Sequence, residues 1–309
     1  MAEHRGMYDF IGDIHGHAYA LRRLLGKLGY EERHGVYRHP ERRVVFLGDY
    51  IDRGPQIPET LALVRGMVED AGAIALLGNH EYNALCFHEP APGGGYLRPH
   101  TLKNFGQHAE TLRQFGSDQR LLDDYLSWFR KLPFAWEEEG WRAVHASWEA
   151  RQMEVLRAEL PEGPLDAATL ARSVDRGDRL FLAVEDVAKG VELPLPEGLS
   201  FPDKEGNRRT EARVRWWEDT EGRSLREVTL PTHPEMPDKR LEPAPYTVYG
   251  PEEKPVFFGH YWLQGSPTLQ RSNVACLDYS IAKGGKLVAY RWEREAALRE
   301  DHLYWVDGP

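Results

Sequence analysis

The sequence predicts an α/β fold in which the strands of a parallel sheet alternate with helices. Three short apolar segments, residues 7–11, 44–47 and 74–77, each stop at a glycine, as buried strands do where a loop begins. Between them, apolar residues recur every three or four positions, which is typical of helices with one buried face. In a parallel sheet built this way, the functional loops lie at the carboxyl ends of the strands.

The first half of the chain continues this alternation. Leucines at helical spacing follow the first strand, and a second helix is predicted over 58–68. A loop rich in proline and glycine, 88–103, leads into one helical stretch over about 104–131. Strands at 134–136 and 141–145 then form a predicted hairpin, because a Glu-Gly pair separates them.

The middle of the chain differs in character from both ends. Over about 150–245 prolines are frequent, charges are dense and apolar periodicity is weak, so we interpret 151–245 as an inserted cap or lid. The core would then consist of two parts, 1–150 and 246–309. Three further strands are predicted in the second part of the core: 255–258, 274–277 and 286–292.

Composition limits the classes of partner. The chain has 309 residues and a formal charge of 39 − 49 = −10, which argues against a stable nucleic-acid binder because such proteins are usually basic. Its two cysteines, Cys86 and Cys276, lie among apolar residues and are expected to be buried free thiols. No segment has the pattern of a signal peptide or the roughly 20 apolar residues of a membrane span. We therefore expect a cytoplasmic protein with no membrane partner.

Polar side chains of the metal-ligand type follow the predicted strands. Asp13 and His15 lie two residues apart and can face one ion, while the two oxygens of Asp49 can bridge two cations. Oxygen and nitrogen ligands in this mixture suit manganese, iron or zinc better than calcium. A pair of such ions, about 3.5–4 Å apart, would acidify the water between them and make it a nucleophile. The alternative is that the aspartates and asparagine only cap turns. The six candidate ligands are Asp13, His15, Asp49, Asn79, His145 and His260.

Three motifs resemble those of a known family: Asp13-Ile14-His15-Gly16, Gly48-Asp49 through Asp52-Arg53-Gly54, and Gly78-Asn79-His80-Glu81. In this order they resemble the signatures of the calcineurin-like metallophosphoesterases. The Asp-Arg-Gly element is similar to the PPP branch, which includes serine/threonine protein phosphatases, symmetrical diadenosine tetraphosphate hydrolases and polynucleotide phosphatase modules. The resemblance covers roughly 1–150 and 246–309 but not the insert. It implies a metallophosphoesterase β-sandwich core that is flanked by helices.

The resemblance also implies how the ligands divide between two divalent ions. Asp13, His15 and Asp49 would bind one ion. Asp49 would bridge to a second ion, which Asn79, His145 and His260 would bind. Manganese is the first expected metal, with iron, zinc, nickel and cobalt as alternatives.

The same resemblance implies catalytic and supporting residues. His80 would protonate the leaving oxygen, Asp52 would orient His80, and Arg53 would bind two phosphate oxygens, for which a planar guanidinium is well shaped. Asp278, in a late Leu-Asp element, would support the site from behind. Glu81 is predicted to hydrogen-bond a ligand histidine or the backbone.

Two bulky residues stand where the family pattern has smaller ones. Tyr261 and Trp262 follow His260, and they are candidates for stacking on a nucleobase or for packing the insert against the core. In the insert, Arg213 and Arg215 share one face if their segment is a strand, and either could reach the phosphate. The alternative for these arginines is a solvated charged surface.

The sequence favours a dinuclear, PPP-like phosphomonoesterase that forms no covalent phosphoenzyme, with a phosphoprotein, a nucleotide or a small molecule as its phosphorylated substrate. The second hypothesis is a dinucleoside polyphosphate hydrolase or a nucleotide or polynucleotide end phosphatase. The third is a metal-binding interaction protein without turnover. Degenerate relatives usually lack a ligand or the acid histidine, and this chain has them all.

Overall fold

Two β-sheets form the centre of the protein in a computed structural model that describes residues 6–160, 162–195, 197–202, 208–230 and 246–309. In chain order, the strands of the described residues are β1 Met7–Ile11, β2 Glu31–Arg33, β3 Val36–Arg38, β4 Arg42–Phe46, β5 Ile74–Ala75, β6 Ala135–Glu137, β7 Arg142–Val144, β8 Glu192–Pro194, β9 Phe201–Pro202, β10 Arg208–Arg209, β11 Glu211–Val214, β12 Thr229–Leu230, β13 Val256–Phe258, β14 Val274–Cys276, β15 Asp278–Tyr279, β16 Lys286–Trp292 and β17 Leu303–Asp307. The helices are α1 Ala18–Lys27, α2 Ile57–Ala71, α3 Asn79–His88, α4 Leu102–Phe115, α5 Gln119–Phe129, α6 Ala150–Glu159, α7 Ala167–Val174, α8 Arg179–Lys189 and α9 Leu225–Val228. Short 3₁₀ helices cover Ile281–Lys283 and Glu300–His302.

The larger sheet has six strands in the order β15-β16-β1-β4-β5, with β17 also paired to β16. Strands β1, β4 and β5 are parallel, as the sequence predicts. The sheet is nevertheless mixed, because β16 runs antiparallel to β1, β15 and β17. An apolar run has the same appearance in either direction, so the sequence pattern could not distinguish the two cases.

The smaller sheet has the order β14-β13-β7-β6 and packs face to face on the larger one. Alternate residues of both sheets point into the interface: Phe10 of β1 stacks on Phe257 of β13 with ring centroids 3.7 Å apart. Trp141 packs in the same layer, with its ring centroid 4.8 Å from that of Phe10. The α/β fold with a β-sandwich core flanked by helices is therefore confirmed.

Helices cover the outer face of the larger sheet. Leu21, Leu24 and Leu25 of α1 are fully buried in one cluster that also contains Ile11 of β1 and Phe46 of β4. None of the described helices has both the length and the apolar character needed to cross a membrane. Both cysteines are free and buried, as expected.

The helical stretch predicted over 104–131 is two helices, α4 and α5. The chain turns at Gly116, whose φ of +51° favours glycine, and Asp118 then caps α5 by accepting a hydrogen bond from the Leu121 N–H at 3.1 Å. The predicted hairpin is confirmed as β6 and β7, which pair antiparallel.

The insert is more ordered than its sequence suggested. Its first part forms α6, α7 and α8, and a small sheet of order β12-β11-β8 follows. The buried faces of these elements belong to the same apolar cluster as the core. Residues 203–207 and 231–245, with the prolines at 231, 234, 237, 243 and 245, lie outside the described residues.

Candidate metal centre

The six predicted ligands are all buried and meet at one edge of the sandwich. Asp13 and His15 follow β1, Asp49 follows β4, and Asn79 begins α3 just after β5. The other two, His145 and His260, follow β7 and β13. Since these strands are parallel within each sheet, their carboxyl ends place the ligands side by side.

Asp49 stands between two clusters of candidate ligands. On one side, its Oδ2 lies 3.6 Å from His15 Nε2 and 3.9 Å from His80 Nε2. On the other, its Oδ1 lies 3.4 Å from His145 Nε2, which is also 3.0 Å from Asn79 Oδ1. One carboxylate therefore contributes an oxygen to each cluster, which is the geometry expected of a bridging ligand.

Hydrogen bonds at Nδ1 fix the tautomers of two ligand histidines. His15 Nδ1 lies 2.9 Å from the Ile51 carbonyl and His145 Nδ1 lies 2.7 Å from the Leu47 carbonyl. A carbonyl only accepts, so each Nδ1 donates a proton and each Nε2 is the ring nitrogen that faces Asp49. Both imidazoles thus present a metal-binding atom toward Asp49.

Buried ring nitrogens that lack hydrogen-bond partners among the described residues indicate that these residues fit a metal. His15 Nε2 and both ring nitrogens of His260 are buried without a hydrogen-bond partner among the described residues. Burial, and then the neighbouring His80, lowers the pKa of His15 to about 3. Burial, and then Arg213, holds the pKa of His260 well below its usual value. Neutral imidazoles with free lone pairs beside a carboxylate are the donor set of a divalent transition metal, so the residues fit one.

Glycines at the site leave room for the ligands. A Cβ on Gly259 would lie 2.0 Å from Asp13 Oδ1, and one on Gly78 would lie 2.4 Å from Asp49 Oδ1. Asp13 in turn accepts the backbone N–H of His260, with its Oδ2 3.1 Å from that nitrogen. The glycine next to each ligand motif therefore allows the carboxylates to approach the backbone.

Glu81 holds the loop that carries Asp49. Its Oε2 accepts the N–H groups of Asp49 at 2.9 Å and Gly78 at 3.2 Å, and its Oε1 accepts those of Tyr50 at 2.8 Å and Ile51 at 3.1 Å. Of the two partners predicted for Glu81, the structure shows the backbone.

His80 is hydrogen-bonded to a buried carboxylate. Its Nδ1 lies 2.6 Å from Asp52 Oδ2, so its Nε2 points toward Asp49 and Arg53. Burial alone would lower the pKa of His80, but Asp49 and Asp52 together raise it above the usual value. The two carboxylates thus favour the protonated form of the ring.

The sequence did not identify His108, which reaches the same carboxylate. His108 Nδ1 lies 2.9 Å from Asp52 Oδ1, and the Asp52 N–H donates to Thr111 Oγ1 at 3.0 Å. His108 is buried, with only 5% of its surface exposed. Its side chain and Asp52 are 56 residues apart in the chain, so no local motif marks the pair.

Residues 8–150 match a family model described as calcineurin-like phosphoesterase. The match begins one residue into β1 and ends at the start of α6, so it includes five of the six predicted ligands.

Related proteins align with this chain either over a short segment at higher identity or over most of its length at lower identity. A bis(5′-nucleosyl)-tetraphosphatase, PrpE (asymmetrical), of Halalkalibacterium halodurans is 46% identical over 24% of this chain and 30% of its own length. The chain thus spans about 30% of the length of the first relatives it matches. A symmetrical bis(5′-nucleosyl)-tetraphosphatase of Burkholderia thailandensis is 26% identical over 94% of this chain and 91% of its own. A protein serine/threonine phosphatase structure from Saccharomyces cerevisiae shares the fold, with 13% identity, a TM-score of 0.51, and coverage of 98% of this chain and 79% of its own.

Beside the candidate metal clusters, Arg53 and Trp262 form the rim of a cavity. The Arg53 guanidinium lies 4.1 Å from the Trp262 ring centroid, and its Nη2 is 3.4 Å from His80 Nε2. Arg53 is exposed, so its guanidinium is available to a ligand. Asp278 supports this rim, because its Oδ2 accepts the Trp262 N–H at 2.7 Å and its Oδ1 accepts the Ser280 N–H at 3.0 Å.

The structure separates the two insert arginines and gives Tyr261 a packing contact. Arg213 lines the cavity and lies 5.4 Å from the Tyr261 ring centroid. Arg215 is absent from the described lining and is paired with Glu218, Nη1 to Oε1, at 3.2 Å. Tyr261 is 5% exposed, and its hydroxyl donates to the Val214 carbonyl at 3.1 Å, so it joins the insert to the core.

The cavity between the core and the insert has a volume of about 1000 Å³. Asn79, His80 and His260 lie in its lining, so the cavity reaches the metal clusters. Its described lining carries eight basic side chains and five acidic ones, although the whole chain has a formal charge of −10. This local excess of positive charge suits an anionic ligand.

Proposed function

We propose that the protein is a metal-dependent phosphoester hydrolase whose substrate is a dinucleoside polyphosphate. The observation that carries the first half of this proposal is Asp49, which contributes one oxygen to each of two clusters beside the oriented His80. A turn cap or a packing role would leave the lone pairs of His15 and His260 unused.

Two divalent ions are proposed to bind at these clusters, with manganese as the first metal to test and iron, zinc, nickel and cobalt as alternatives. Asp49 would be the shared ligand. The other ligands would be Asp13, His15, Asn79, His145 and His260. When bound, such ions supply charge neutralisation for the phosphate and a water of lowered pKa.

The chain's own residues supply the remaining requirements. His80 holds a proton at Nε2 toward the cavity, which is the position from which a leaving oxygen could be protonated. Asp52 fixes the direction of that ring. Arg53 stands 3.4 Å from His80 Nε2, so a phosphate bound by its guanidinium would lie beside the proton donor.

Two findings support the polyphosphate substrate over a phosphomonoester. The relatives that align with this chain are named as bis(5′-nucleosyl)-tetraphosphatases. A cavity of about 1000 Å³ is at the upper end of the range for small-molecule sites, and it is larger than a single phosphate ester requires. These findings reverse the order of the two hypotheses that the sequence favoured.

A substrate panel tests the proposal. The protein is assayed with each metal on diadenosine tetraphosphate, ATP, p-nitrophenyl phosphate, a phosphoserine peptide and a 3′-phosphorylated oligonucleotide. We expect the highest kcat/KM for diadenosine tetraphosphate, and chromatography of the products distinguishes two ADP from ATP plus AMP. His80→Ala, which should still bind metal, is the control for contaminating activity.

The other outcomes assign the protein differently. A preference for the phosphopeptide would identify a phosphoprotein phosphatase. A preference for the oligonucleotide would identify an end phosphatase. Metal binding without turnover of any substrate would support the non-catalytic hypothesis.

A further inference from the structure

The positive charge of the cavity is divided unequally between its two walls. On the insert wall, Arg209 lies 2.5 Å and Arg213 3.7 Å from oxygens of Glu192, and Lys189 pairs with Glu185. Acidic neighbours therefore offset three of the four cations on this wall, and only Arg176 forms no ion pair with a described residue. On the core wall, Arg98 and Lys103 line the same cavity and form no ion pair with any residue that the structure describes. The charge that is free to bind an anion therefore lies mainly on the core wall, beyond Arg53.

Arg98 is held in place although it lacks a carboxylate partner. Its guanidinium donates to Gln107 Oε1 at 2.6 Å, and its backbone N–H donates to the Cys86 carbonyl at 2.8 Å. The loop around Arg98 is fixed by ring stacking. The ring centroid of His100 lies 3.9 Å from that of Phe87 and 4.0 Å from that of Tyr96. Burial lowers the pKa of Arg98, which is the cost expected of a cation without a counter-ion. A guanidinium kept half-buried and unpaired is suited to a ligand that brings its own negative charge.

Lys103 and Gln107 extend this surface along α4. They are four residues apart, so they share one helix face, and both line the cavity. The next residue, His108, is bonded to Asp52, which orients His80. The helix that carries Lys103 and Gln107 is thus joined through His108 and Asp52 to His80.

We propose that Arg98 and Lys103 form a subsite for the phosphates of the leaving half of a polyphosphate substrate. This inference rests on the proposed function. In the hydrolysis, water oxygen bonds to the attacked phosphorus and the bridging P–O bond breaks. The bond's electron pair goes to the leaving phosphate oxygen, which takes a proton from His80. The leaving group carries one or more further phosphates, and these would bind to Arg98 and Lys103.

A phosphomonoester would not use this subsite. Its one phosphate would be bound by the metals and Arg53, and its leaving group is an uncharged alcohol or phenol. The subsite therefore discriminates between anions by the number of linked phosphates rather than by the nucleoside.

The test is calorimetric titration of the manganese-loaded protein with inorganic tripolyphosphate and, separately, with orthophosphate. Cell and syringe contain the same free manganese concentration, so that chelation does not unload the site. The variants are Lys103→Gln, Arg98→Gln and Arg98→Lys. Arg120→Gln is the matched control, because Arg120 is an exposed arginine that does not line the cavity.

We expect the Kd for tripolyphosphate to rise about tenfold in Lys103→Gln and in Arg98→Gln, and less in Arg98→Lys, which keeps the charge. The Kd for orthophosphate should stay within about twofold in every variant. Lys103 is exposed, so its variant decides the question even if Arg98→Gln does not fold. An equal rise in Kd for both anions, or a rise for tripolyphosphate no larger than in Arg120→Gln, would overturn the subsite.

Kinetics separate this inference from the proposed function. The subsite predicts that Lys103→Gln lowers kcat/KM for diadenosine tetraphosphate by about tenfold and leaves p-nitrophenyl phosphate unchanged. If the intact protein hydrolyses p-nitrophenyl phosphate but not diadenosine tetraphosphate, the proposed substrate is wrong. The calorimetric comparison still decides the subsite in that case.

Discussion

Replacing Glu81 by glutamine tests how the metal loop is held. The carboxylate of Glu81 accepts four backbone N–H groups, two on each oxygen. A glutamine amide of the same size has one oxygen, so it can accept two of them and must turn its NH₂ toward the other two. Each buried donor left without an acceptor costs about 1–3 kcal/mol. The substitution should therefore lower the free energy of unfolding by about 2–6 kcal/mol.

A loss of this size is a large fraction of the roughly 5–15 kcal/mol that stabilises a typical domain. Urea unfolding of the metal-free protein measures it without a contribution from metal binding. Glu154→Gln, at an exposed position on α6, is the matched control and should change the unfolding free energy by less than about 0.5 kcal/mol.

Metal affinity provides a second measurement on the same variant. Because the Asp49 N–H is one of the four donors, a loosened loop should weaken metal binding by about 10–100-fold. If Glu81→Gln unfolds within about 1 kcal/mol of the intact protein and binds metal equally well, the loop is held by other contacts and the reasoning is wrong.

Four further substitutions test individual roles. Asp49→Ala should abolish metal loading and turnover together, as measured by elemental analysis and assay; retained metal would refute the shared-ligand role. Arg53→Ala should weaken substrate use by about tenfold or more with metal content unchanged. His108→Ala should lower kcat by about tenfold with KM unchanged, and His108→Gln, which keeps a donor for the carboxylate, should recover part of it. Burial alone would raise the pKa of Asp52, but His108 and His80 hold it well below its usual value. The stability that the intact protein has over Asp52→Asn should therefore be full between about pH 4 and pH 6 and should diminish as pH falls below about 4, as measured by urea unfolding. A difference that is constant between pH 6 and pH 3 would contradict this.

The candidate metal ligands could be found in the sequence because their signal is local. A strand that ends in glycine and then in Asp, His or Asn has no packing reason for those side chains, and the same pattern occurs at three successive strands. The tertiary partners of these residues had no such signal. His108 resembles any polar helical residue, and its role exists only because α4 packs beside the loop of Asp52.

The insert illustrates a second limit. Its helices do carry a readable pattern, since Leu180, Val184 and Val187 share one buried face behind an Asp178 cap, but dense charges and prolines obscured it. No sequence pattern distinguishes Arg213 from Arg215 as the arginine that faces the cavity. The structure places only Arg213 on a strand, because β11 ends at Val214; Arg213 lines the cavity, whereas Arg215 pairs with Glu218.

Two hydrogen bonds between the insert and the ligand loops restrict how the cap can move. Trp216 Nε1 donates to the Ala146 carbonyl at 3.0 Å, and the Tyr261 hydroxyl donates to the Val214 carbonyl at 3.1 Å. Ala146 and Tyr261 directly follow His145 and His260. A cap that swung away as a hinged flap would have to break both bonds or displace the imidazoles. Deleting the cap would for this reason displace His145 and His260, rather than simply widen the entrance to the cavity.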